Sequence, residues 1–179
     1  MSECVISTPP DYYLLPFGDF SYEFQQLTGV LANGEGYLGL IHIDSQVEFT
    51  QTSILVDAYG AASNVYVSIY NLPGTQVAAA KIPITANGLA RVSGLGPYFL
   101  MPGTYWLMVA SDNSASSTNL YGSTPGTGVV TNILNANQFR WGQKGGQVVN
   151  GALPTSISPS VANGWTANAV SLPLVLLEP

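Results

Sequence analysis

The sequence predicts an all-β protein: an antiparallel β-sandwich of jelly-roll-like character with an extended N-terminal arm. Three observations predict it. Twelve prolines and nineteen glycines interrupt the chain and form the punctuation of short strands and tight turns. Between the breaks lie runs rich in Val, Ile, Tyr and Phe, several of them alternating with period two. No window sustains three turns of helical periodicity without a glycine, a proline or a β-branched cluster, so helix is expected to be minor.

The elements follow in order. Residues 1–20 contain Pro9-Pro10 and then Tyr12, Tyr13, Leu14, Leu15, Pro16 and Phe17, large apolar groups without a repeating pattern. A free tail of that content would be sticky. The arm is therefore expected to lie across its own sandwich or a neighbouring subunit, with Tyr12, Tyr13, Leu14, Leu15 and Phe17 as its interface residues. Phe20 to Leu27 continues as a strand. Asn33-Gly34 suits a tight turn before the strand Tyr37–Ile43. Val47–Phe49 and Ile54–Tyr59 follow.

Val65–Tyr70 alternates, with Val65, Val67 and Ile69 on one face. Leu72-Pro73-Gly74-Thr75 turns it into a strand over 77–84, where Pro83 fits an edge or an end. Asn87-Gly88 reads as a second hairpin leading into Leu89–Val92. Pro102-Gly103 turns the chain into Thr104–Ala110, the most apolar strand. Such a strand is buried on both faces, one facing the core and the other a candidate subunit contact. Residues 111–128 read as a polar surface loop. Short strands are expected over 129–134 and 138–141, turns over 142–151, an irregular segment to Pro159, and a closing strand over 169–177. At 179 residues the chain has the length of one domain, able to bury a core without staples. No repeat or linker divides the sandwich, 21–179, which the arm precedes.

Charge narrows the function. Ionisable Asp, Glu, Lys and Arg make up 8% of the chain, against about 25% in a typical soluble domain. A surface so poor in charge implies cover by other protein. The cations are Lys81, Arg91, Arg140 and Lys144, and the formal net charge is −6. Four scattered cations do not make a phosphate-tracking groove or a patch for an anionic membrane, so neither nucleic acid nor membrane is an expected partner. Cys4 is the single cysteine, which excludes an intrachain disulfide and a cysteine-based zinc site. Met1-Ser2-Glu3-Cys4 lacks a basic n-region, and no h-region follows, so synthesis in a cytoplasm without a signal peptide is expected.

No catalytic, cofactor or metal residues are assigned. His42, the sole histidine, shares a strand face with Leu40 and Asp44, but no G-x-S-x-G accompanies it. Glu23, Glu35, Glu48, Asp57 and Asp112 are carboxylates without a spacing that singles out a glycosidase pair. Asp112-Asn113-Ser114 resembles turn chemistry more than a calcium loop. Trp106 is expected in the core. Trp141 and Trp165, near loops, are the candidates for a glycan or partner contact.

Three stretches carry a family likeness: "SIYNLPGT" at Ser68–Thr75, "LMPGTYWLMVASD" at Leu100–Asp112 and "ALPTS" at Ala152–Ser156. In this order, before a terminal apolar strand, they resemble the β-sandwich domain of tailed-bacteriophage virion proteins, over residues 50–177. The resemblance implies a fold and a place in a virion rather than an activity. It makes the expected function a non-enzymatic capsid decoration (cement) protein on the particle surface. Its expected partners are copies of itself, most simply as a trimer, and other virion proteins such as the major capsid protein. The alternative is a tail-fibre or tail-tip module that contacts the host, with glycans as a candidate ligand. The chain has no shaft heptads or repeats of the kind fibres carry, which favours decoration.

Overall fold

The computed structural model describes residues 12–14, 23–27, 34–59, 63–112, 119–124, 141–166 and 172–179. They form β1 (Tyr12–Leu14), β2 (Glu23–Leu27), β3 (Gly36–Ile43), β4 (Val47–Phe49), β5 (Gln51–Ala58), β6 (Ser63–Asn71) and β7 (Gln76–Ile84). Then come β8 (Gly88–Val92), β9 (Tyr98–Leu100), β10 (Gly103–Ser111), β11 (Asn119–Thr124), β12 (Trp141–Lys144), β13 (Leu172–Pro173) and β14 (Val175–Glu178). One 3-10 turn, Val161–Asn163, is the only helical element among the described residues. The protein is an all-β sandwich of antiparallel sheets.

One sheet runs β1-β14-β5-β11-β13, with β2 also on β11 and β8 also on β5; the other runs β12-β3-β10-β6-β7. A two-stranded ribbon, β4 with β9, stands beside them. The inner faces of the two sheets share one core, which includes Ile41, Ile43, Ile54, Val56, Val65, Val67, Ile69, Leu107, Val175 and Leu177. Each buried aliphatic side chain contributes about 1.5–3 kcal/mol relative to exposure. The alternation read in β6 holds: Val65, Val67 and Ile69 face this core, and Tyr66 and Tyr70 face the other way. Pro83 lies on β7, the edge strand of its sheet, where a missing N–H breaks no central ladder.

β10 is buried on both faces, as its composition predicts, but its second face is not a subunit contact. It lies under a second core of Leu38, Tyr66, Tyr70, Trp106, Met108 and Ala110, closed from outside by Leu153, Ile157 and Trp165. The covering segment, residues 145–166, belongs to the same chain. It has no period because it follows the relief of a finished sheet rather than pairing along a strand. Discrete bonds hold it. Tyr70 donates to the Pro154 carbonyl at 2.8 Å, the Gln76 amide donates to the Thr155 carbonyl at 2.9 Å, and the Ile157 amide donates to the Gly74 carbonyl at 2.8 Å. Near its far end Gln143 and Thr166 exchange backbone bonds of 3.0 and 2.9 Å.

Three further expectations change. Asn87-Gly88 does not close a hairpin: β8 leaves β7 and pairs with β5 in the opposite sheet. Arg91 opposite Ser53 rewards that pairing. Part of the polar stretch 111–128 is strand β11, paired with β2, β5 and β13. Its buried Leu120 is the one aliphatic side chain in a segment of Ser, Thr, Asn and Gly, too faint a pattern to read. β12 carries the chain past Trp141 to Lys144, where turns are expected, and residues 138–140 lie outside the described residues. The strand expected over 129–134 lies outside the described residues.

Of the arm, Tyr12–Leu14 is built into the sheet, with Tyr12 opposite Leu177 and Leu14 opposite Val175. Leu15 and Phe17 lie outside the described residues.

Candidate functional site

Two surface features combine exposure with shape. The first is a rim at the N-terminal end of β10. Strand alternation sends Tyr105 and Trp106 to opposite faces, and each fixes a turn there. Tyr105 donates to the Met101 carbonyl at 2.9 Å. The Trp106 indole donates to the Leu72 carbonyl at 3.4 Å. Both turns hold a large apolar side chain in water: Leu72 is 54% exposed and Met101 58%. Phe99, two residues before Met101, is 54% exposed. On β9 it stands opposite Glu48 of β4, which is also exposed. Such directly opposed residues share a face of the ribbon.

The second feature is a groove of about 240 Å³ between β7 and the covering segment. Its walls include Ala79, Leu95, Ala152 and Leu153, with Lys81 and Thr155 contributing polar groups. The Lys81 ammonium sits 5.6 Å from the centre of the Tyr66 ring. Tyr66 in turn donates to Asp112 at 2.8 Å.

Asp112 is the hub of a bonded cluster. Its carboxylate accepts from the Asn64 backbone amide at 2.7 Å and the Asn64 side-chain amide at 2.7 Å. Burial acts to raise its pKa, but these bonds, the Tyr66 hydroxyl and the Lys81 charge outweigh it and hold the carboxyl below its ordinary value. Tyr66 is pushed up to about 12, by burial first and then by Asp112. The cluster ties the end of β10 to the start of β6. Both Asp112 carboxylate oxygens accept from protein donors; Asn113 and Ser114, the other residues of the calcium reading, lie outside the described residues.

Among the described residues the other carboxylates are dispersed. Glu35 accepts from Tyr37 at 3.1 Å, and Asp57 pairs with the Tyr121 phenol, whose pKa it raises. Glu178 is bonded to Ser53 and to Arg91, at 2.5 Å. Ser53 thus has a hydroxyl bonded to a carboxylate, but the carboxylate is neutralised by a guanidinium rather than held against an imidazole. His42 is on the exposed side of β3, its Nδ1 3.5 Å from Thr104 Oγ1 on the neighbouring strand.

The tryptophans divide. Trp106 is in the second core, as expected. Trp165 is 3% exposed and packs in the same core, with Lys144 Nζ 5.9 Å from its ring centre. Its ring faces are spent on protein rather than open to a sugar. The Trp141 backbone pairs with Gly39; its side chain lies outside the described residues. The rim and the groove were missed by sequence reasoning. Phe99 and Met101 stand in "YFLMPG", where nothing separates an exposed apolar side chain from a buried one, and the groove is made by residues far apart in the chain.

No family model, no curated protein and no solved structure matches this chain.

Proposed function

We propose that this chain is a non-enzymatic structural protein of a tailed-phage virion, a decoration module that stabilises a protein shell by packing against its neighbours. The observation that carries the reading is the exposed rim of Leu72, Phe99 and Met101 on a chain with 8% charged residues. Water-exposed apolar groups gathered at one end of a sandwich, with little charge to keep copies apart, favour association. The phage context comes from the three sequence stretches that resemble virion sandwiches. The physical mechanism is mass action: a protein that binds the assembled shell and not its separated parts stabilises the shell by its binding free energy.

Immunogold labelling of purified particles that carry the chain tests the reading. Label on the heads, with loss of heat resistance when the chain is stripped, is the expected result. Label on the tails would transfer the chain to the host-contacting apparatus. Absence from purified particles would overturn the virion assignment.

A further inference from the structure

We propose that the groove beside β7 is the socket for Phe99 of a second copy of this chain, so that the protein associates with itself through unlike surfaces. The inference deepens the assembly reading by naming the partner as another copy, and it stands on four observations.

The groove has the right volume and lining. It measures about 240 Å³, with Ala79, Leu95 and Leu153 among its apolar walls and Ser68, Gln76 and Lys81 among its polar ones; an apolar cavity of about 150 Å³ already holds a benzene ring. The knob has the right chemistry: Phe99 stands in water, 54% exposed, on the outer face of a short ribbon whose Val47, Phe49 and Leu100 face the core. The charges at the two places are complementary. Phe99 has Glu48 directly opposite it on the same face, and the groove has Lys81 in its lining. An aromatic side chain entering the groove brings a carboxylate toward the single cation there. Opposite charges arranged around an apolar anchor fix register and orientation, while the anchor supplies most of the affinity.

The fourth observation is that a chain cannot fill its own groove with this residue. Tyr98 turns inward and donates to the carbonyl of Ala79, in the groove wall, at 3.3 Å. It also stacks against Phe49 with ring centres 5.4 Å apart. Successive residues of a strand point to opposite faces, so Phe99 is directed away from the groove that Tyr98 reaches toward. Knob and socket meet only between copies. Because the two surfaces differ, the contact is head-to-tail, and its repetition gives a ring where the rotation closes and an open filament where it does not.

Sedimentation velocity over a series of protein concentrations tests this with five variants, each checked for native circular dichroism. Wild type should self-associate. Phe99→Ser should weaken association by at least about thirtyfold. Thr155→Trp, an exposed change at the groove mouth, should do the same by plugging it. Lys81→Glu and Glu48→Lys should each weaken it by about tenfold, and the double variant Lys81→Glu/Glu48→Lys should regain the wild-type constant. A fold defect would add in the double variant rather than cancel.

Single chains at every concentration, association indifferent to Phe99 and Thr155, or additive charge reversals would each overturn the proposal. A chain that stays single yet binds purified virion shells would sink the socket and leave the decoration reading standing. A chain that associates as described but is absent from virions would do the reverse.

Discussion

The backbone of Ile157 rests on Gly74, its amide donating to the Gly74 carbonyl at 2.8 Å while its own carbonyl oxygen fills the space a side chain on Gly74 would need. Gly74 also has φ +95°, a conformation costly for other residues. The turn after β6 is thus the seat on which the covering segment lies, and glycine is required there for two separate reasons.

Replacing Gly74 with Ala should therefore unseat the cover. Backbone strain alone costs about 1–3 kcal/mol, and the overlap with Ile157 adds to it. The variant should unfold at lower denaturant, show red-shifted tryptophan emission and bind a hydrophobic dye. Gly88→Ala is the control, because Gly88 has φ +99° but nothing within 4 Å of the added Cβ. It should cost the strain without exposing the second core. Equal behaviour of the two variants would remove the seat from the account.

Trp165→Ala should cost about 3–5 kcal/mol, as large-to-small changes in a core do, because the ring closes the second core. Emission from Trp165 should be blue-shifted in the native state and unmoved by a panel of soluble glycans. A shift on adding a sugar, with stability unchanged by the substitution, would restore the ring as a surface platform.

Asp112 makes a pH prediction. Its folded pKa is depressed, so its contribution to stability is fully present above the unfolded carboxylate pKa and is lost as pH falls through the lower, folded value. The loss occupies the range below about pH 4. Asp112→Asn should lower stability by about 1–2 kcal/mol at neutral pH, by weakening bonds to Asn64 and Tyr66. It should also flatten the slope of stability against pH in the acid range. An unchanged slope would show that Asp112 is not a source of acid sensitivity.

Tyr66 and Tyr70, each pushed up to about 12 chiefly by burial, act at the other end. Their neutral forms stabilise the fold below the ordinary phenol pKa, and that contribution disappears as pH rises from about 10 toward 12. Phenolate absorbance should therefore show a late-titrating fraction that includes Tyr66 and Tyr70, whose ionisation coincides with unfolding. Tyr66→Phe and Tyr70→Phe should each remove one of them.

Arg91 and Glu178 set a test of the sheet crossing. The Arg91 side chain is 46% exposed and that of Glu178 9%, so removing the guanidinium leaves a largely buried carboxylate with only Ser53 as its described side-chain donor. Arg91→Ala should destabilise by about 1–3 kcal/mol, less than a fully buried pair because half of the arginine is in water. Arg91→Lys should recover part of it. Arg91→Ala/Glu178→Gln should be more stable than Arg91→Ala, since no uncompensated charge remains.

Local pattern alone fixed a good deal of this protein. Period-two alternation in Val65–Tyr70, the Pro-Gly punctuation and the unbroken apolar run in Thr104–Ala110 determined an all-β sandwich, the positions of most strands and the burial of β10 on both faces. The scarcity of charge was equally open to reading. Tertiary structure alone decided what covers the second face, because a segment that conforms to an existing surface has no period of its own. It also decided that β8 crosses between sheets, since a strand's partner is chosen by register and side-chain pairing across the fold, as Arg91 with Ser53 and Glu178 shows. The groove and the exposed Phe99 belong to the same class. Whether an apolar side chain meets core or water depends on what the rest of the chain has already covered, and that is settled only when the sheets have packed.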